Sequence, residues 1–134
     1  MFQTAFLKRR ATVFLIPLVI GILSSCGCSK KLDLDEAVLV QLKKAGSDLS
    51  KPHKIDFYLY FPTKSVAEQA ALSLRRTGFE VVVKKGADDK NWLCLATKPM
   101  ILDLPAIRQT QHDLDRLAAS LKGNYDGWEA GVEK

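Results

Sequence analysis

The sequence predicts an α+β sandwich whose elements run strand, helix, strand, strand, helix, strand, with one further helix in front. Two observations carry that prediction. The stretch "IDFYLYF" (residues 55–61) alternates in the manner of a half-buried strand, Ile55, Phe57, Leu59 and Phe61 on one face and Asp56, Tyr58 and Tyr60 on the other. Two later stretches place apolar residues at helical spacing and end on glycine, and between them lie two β-rich runs joined by "GADD".

The chain opens on a different kind of segment. "MFQTAFLKRR" carries Lys8, Arg9 and Arg10 and no acid, and "ATVFLIPLVIGIL" (11–23) is uncharged and apolar. A permanent helical span needs about 20 apolar residues; this run is shorter and holds Pro17, which suits a leader that is removed. Leu23-Ser24-Ser25-Cys26 resembles a bacterial lipobox, which implies cleavage before Cys26 and acylation of its thiol and new amino terminus. Acyl chains contribute about 0.8 kcal/mol per buried CH₂, so two or more hold a domain on a membrane. An uncleaved signal anchor, and a metal site built on Cys26 and Cys28, are the alternatives. The expected organisation is a signal peptide over 1–25, a tether over 26–33 and a folded domain over 34–134, with the domain on the extracytoplasmic side of a membrane.

Losing residues 1–25 leaves 109 of the 134 residues, one domain. It removes three of 20 basic residues and none of the 15 acids, so the net charge falls from +5 to +2. That balance argues against nucleic acid, which usually requires a concentrated basic face. Cys94 falls inside an expected strand and reads as a small buried hydrophobe; the spacing does not show it paired with Cys28.

Element by element, "LDEAVLVQLKKAG" carries Leu34, Ala37, Val38 and Leu42 on one helical stripe closed by Gly46. "GSDLSKPHK" reads as loop, followed by the first strand, which Pro62 stops. The second helix starts from a Ser65/Glu68 capping box, buries Ala67, Ala70, Ala71 and Leu74, and ends at Gly78. "FEVVVKK" and "NWLCLATK" form a hairpin. The third helix starts near Asp103, with Pro105 in its first turn, and packs through Ile107, Leu114, Leu117, Ala118 and Leu121 up to Gly123. "NYDGWEAGV" supplies a last short strand.

This order is the split βαβ pattern of ferredoxin-like folds, with both helices on one face of an antiparallel sheet. Phe57, Leu59, Phe79, Val81, Val83, Leu93 and Leu95 are expected to meet Leu74, Leu114 and Leu117. Tyr58, Tyr60 and Trp92 are expected on the other face, either covered by the first helix through Val38 and Leu42 or open as a platform on which single-stranded RNA would stack. The consensus of RNA-recognition modules is missing from "NWLCLATK", which weighs against the platform.

No enzyme is legible. His53 and His112 stand in no triad or metal spacing, Asp88-Asp89 fits a hairpin turn, Asp113 and Asp115 fit a solvated helix face, and no glycine-rich phosphate loop follows a strand. The expectation is no catalytic residue, no metal and no cofactor.

"GSDLSKP" (46–52), "IDFYLYFP", "LRRTGFEVVV", "WLCLATK" and "YDGW" (125–128) resemble the RraB family, the regulators of ribonuclease E activity B, from about Val40 to Trp128. The resemblance implies a ferredoxin-like sandwich that inhibits, through protein–protein contact and without chemistry of its own, the endoribonuclease that starts messenger RNA decay. A lipidated domain outside the cytoplasm does not meet that nuclease. Two readings follow: an RraB-like domain displayed as a lipoprotein for another protein partner, or a signal-anchored inhibitor of ribonuclease E facing the cytoplasm. Tyr58, Tyr60, Trp92, Tyr125, Asp126 and Trp128 are the candidate partner-binding residues. For Trp128 the alternative is structural, a plug at the end of the core beside a φ > 0 turn at Gly127.

Overall fold

The computed structural model describes residues 33–134, so Cys26, Cys28 and the expected leader lie outside the described residues. Seven elements follow one another: α1 (Leu34–Lys44), β1 (Pro52–Phe61), α2 (Lys64–Arg76), β2 (Glu80–Lys85), β3 (Trp92–Ile101), α3 (Leu104–Ser120) and β4 (Asn124–Ala130). All strand pairs are antiparallel, in the order β2-β3-β1-β4, which is the ferredoxin-like arrangement with β1 and β3 central.

The alternation in β1 is as its sequence dictates: Ile55, Phe57, Leu59 and Phe61 are buried in the core cluster beneath Ala67, Ala70, Ala71 and Leu74 of α2 and Ile107, Leu114 and Ala118 of α3. Small alanines let α2 approach the sheet closely, and the Phe57 and Phe79 rings meet edge to face at 5.9 Å.

Two boundaries differ from expectation because pairing overrides local composition. β1 begins at Pro52, and β3 runs to Ile101 through Pro99, because Pro52–Lys54 pair with Pro99–Ile101. Pro99 is tolerated there since β2 pairs with β3 only as far as Thr97, so the sheet has ended on that side.

The face of β3 is also corrected. Trp92, Cys94 and Ala96 stand opposite Phe61, Leu59 and Phe57 and therefore point to the helices, while Leu93 and Leu95 stand opposite Tyr60 and Tyr58 on the outer face. Both parities of "WLCLA" are apolar, so period-2 patterning could not choose between them; the register did. Leu93 is nonetheless buried, filling the outer face between Tyr60 and Lys84. With Trp92 turned inward, the outer face lacks the third ring of the expected stacking platform.

The helix ends show local chemistry at work. The cap of α2 is Thr63, whose Oγ1 accepts from Val66 N at 3.3 Å, so Ser65 lies inside the first turn and the expected Ser65/Glu68 box does not form. Asp103 caps α3 through Ala106 N at 3.2 Å, with Pro105 in the first turn. α1 and α2 leave through Gly46 (φ 88°) and Gly78 (φ 89°). α3 instead places Lys122 (φ 56°) at the left-handed position, and Gly123 follows it, donating to Ala118 O at 2.7 Å. Gly123 is needed for space: a Cβ there would sit 2.7 Å from Tyr60 O and inside contact distance of the Phe61 ring.

Candidate functional site: a groove between the first helix and the last strand

α1 does not fold over the outer face. Leu42 enters the core cluster and Leu39 packs against it, while the first turn is fixed to α3 and β4. Asp33, which caps α1, pairs with Arg108 of α3. Asp35 accepts from the Gln111 side-chain amide and from the Trp128 indole N–H, each at 2.8 Å, and Gln111 in turn accepts from the Tyr125 hydroxyl at 3.2 Å. Three elements are thereby tied by one chain of side-chain hydrogen bonds.

The stripe expected to bury α1 is left partly open. Leu34 is 80 % exposed and Val38 36 %, and with Ala37 they form one wall of a groove of about 600 Å³. Its other wall is β4, from Asp126 to Ala130, together with Tyr58 of β1. Both faces of this edge strand contribute: Trp128 stands opposite Phe57 and so lies on the helix side, whereas Gly127 and Glu129 stand opposite Tyr58 and Asp56 on the outer side. A bulge makes this possible. Tyr58 pairs with Gly127 and Leu59 with Tyr125, so Asp126 is the extra residue, and Gly127 takes φ 126°, where a side chain would be strained.

The groove is acidic. Asp35, Asp126 and Glu129 line it, and no lysine, arginine or histidine is among its described lining residues. Glu129 accepts from the Tyr58 hydroxyl. Burial, and then that bond and the Glu129 charge, push the Tyr58 phenol above its ordinary value of 10.0, so it stays a donor at neutral pH.

Of the six candidate binding residues, Tyr58, Tyr125, Asp126 and Trp128 line this groove. Tyr60 and Trp92 do not. Tyr60 faces outward opposite Leu93 and Asn124. Trp92 is half-buried against the core, with Lys64 and Lys85 ammonium groups 5.6 and 5.1 Å from its ring centre. Trp128 also packs against the core, so it is both plug and groove lining. Sequence reasoning missed Asp35, Gln111 and Glu129. For the first two the only signal is that a buried Trp N–H and Tyr O–H need polar partners.

The two histidines part company. His53 is fully buried, its Nε2 2.5 Å from Ser47 Oγ and its Nδ1 2.8 Å from Lys51 O. Ser47 Oγ also accepts from Glu133 N at 3.0 Å, and Asp48 N donates to Glu133 O at 2.8 Å, so the "GSD" stretch clasps the chain's last residues. His112 is exposed beside Asp113. Asp88 holds the β2–β3 turn by accepting from Lys90 and Asn91 backbone N–H groups, which lower its carboxyl below the usual value, the Asn91 bond most. Cys94 is buried and unpaired, its thiol pushed up to about 11 by desolvation. Among the described residues no three His, Cys, Asp or Glu side chains converge as metal ligands, and no helix is long and apolar enough to cross a membrane.

None of the curated proteins compared with the chain matches it. A family model does: that described as regulator of ribonuclease activity B matches residues 32–130, a span that takes in every element from α1 to β4. The strands of the sheet, the Tyr125–Trp128 bulge and the Gly46–Asp48 side of the clasp fall within that span, and the chain belongs to the RraB family.

Proposed function

We propose that the domain is a regulator that acts by binding a protein, through the groove between α1 and β4, and that lipid at Cys26 presents it on a membrane. The observation that carries the binding surface is the open apolar wall of α1. Leu34 and Val38 stand exposed beside the Trp128 ring, in a helix whose first turn is held rigidly by Asp33 and Asp35. Aromatic anchors in such clefts dominate protein interfaces. The membrane address is supported by the sequence Leu23-Ser24-Ser25-Cys26 behind a short basic and apolar leader.

The test is incorporation of labelled fatty acid into the full chain. Label that disappears in Cys26→Ser supports the address; an intact Met1 with an unmodified Cys26 thiol overturns it. The family description favours a second reading, in which an uncleaved leader keeps the domain facing the cytoplasm and the partner is ribonuclease E. Co-purification of ribonuclease E with a chain retaining Met1 would select that reading, and its failure in cells that make both proteins would remove it.

A further inference from the structure

The groove combines two properties that constrain what fills it: an apolar wall, and negative charge that the described residues around it orient but do not cancel. Among the described residues, the groups that hold Asp35 are the Trp128 indole N–H and the Gln111 amide, and the group that holds Glu129 is the Tyr58 hydroxyl. All three donors are neutral. They orient each carboxylate and leave its charge in place, whereas the Asp33 carboxylate nearby is neutralised by Arg108. Orientation matters because a flexible surface carboxylate loses side-chain entropy when it pairs, and one already fixed does not. The aliphatic wall next to it lowers the local dielectric, which strengthens attraction for a cation.

Resting on the protein-binding reading above, we infer that the occupant is a basic segment of the partner: an arginine or lysine side chain seated between Asp35 and Glu129, with adjacent aliphatic residues packed on Leu34 and Val38. Charge complementarity of this kind raises association rate and excludes acidic competitors, while the aliphatic contacts supply affinity. The far side of the molecule offers the reverse. There the Trp92 ring is flanked by the Lys64 and Lys85 ammonium groups, which suits no basic partner.

The experiment places a photo-crosslinking amino acid at Val38 in the full chain, and separately at Val82, which is 57 % exposed on β2 at the opposite sheet edge. Cross-linked peptides are identified by mass spectrometry and the captured segment is made as a synthetic peptide. The expected result is capture at Val38 of a segment in which arginine or lysine flanks aliphatic residues. Binding of that peptide should weaken at least tenfold between low and high salt. The pair Asp35→Asn and Glu129→Gln removes both charges while keeping the Glu129 acceptor and one of the two Asp35 acceptors; it should weaken binding at least tenfold and flatten the salt dependence, with the domain still folding cooperatively in a melting curve. Capture at Val38 of an acidic or uncharged segment, of a second copy of this chain or of a lipid overturns the inference. So does a segment whose affinity ignores both salt and the double variant. Capture at Val82 alone overturns the groove but leaves a protein-binding regulator, and capture at neither position overturns that functional reading as well.

Discussion

The two tryptophans stand on the same face of one sheet and end in opposite surroundings. Trp92, at the start of β3, has its ring beside two lysine ammonium groups from its own chain. Trp128, in the bulged edge strand, gives its N–H to a carboxylate and leaves its flank open to a groove walled by exposed Leu34 and Val38. The first ring is finished internally, by cations that cost little to place. The second is held just as firmly but left unfinished. Rigid support beneath an uncovered apolar surface is what a binding site requires and what a core residue does not. The comparison places Trp92 in internal packing alone and Trp128 both in packing and on the wall of the groove proposed to bind a partner.

The comparison can be broken by substitution. The largest effect is expected from Trp128→Ala, which removes core packing and strands Asp35; it should cost about 3 kcal/mol, read as a fall in melting temperature of more than about 10 °C. A melting curve unchanged by this variant would make Trp128 a purely superficial residue. At the Trp92 end, Gly123→Ala forces a methyl group against Phe61 and the Tyr60 carbonyl and should cost about 2 kcal/mol by denaturant titration. Its neighbour should go the other way: Lys122→Gly relieves a left-handed lysine and should stabilise by about 1 kcal/mol. Replacing Lys64 or Lys85 by methionine should cost only about 0.5 kcal/mol each, leave partner binding intact, and so confirm that this end is structural. The smallest effect belongs to the groove and shows only in alkali. The Tyr58 phenol is harder to ionise folded than unfolded, so its contribution is complete below about pH 10 and is lost as pH rises further. Tyr58→Phe should therefore flatten the alkaline decline in stability.

What was legible in the sequence follows from which patterns had one reading. β1 alternates cleanly because one face carries Asp56 and two tyrosines, and α2 and α3 declare themselves by apolar stripes four to five positions long. β3 misled, because a central strand buried on both faces has no polar parity to mark the outside, and Leu93 and Leu95 look as core-like as Cys94 and Ala96. α1 misled differently. Its stripe is real, but only Leu42 is buried, and a periodic stripe says nothing of whether a protein's own core or a partner covers it. "YDGW" stands out in the sequence and lines the groove, yet its partners Asp35 and Gln111 lie 93 and 14 positions away from Trp128 and Tyr125, a pairing that only the fold brings about.

The most direct measurement uses the two rings as reporters. In Trp92→Phe the remaining fluorescence comes from Trp128, and in Trp128→Phe from Trp92. Titrated with the partner segment captured at Val38, the first variant should shift its emission on saturation and the second should bind more weakly with its emission unmoved. A shift from Trp92 with Trp128 silent would contradict the account and move the working surface to the lysine-capped end of the sheet.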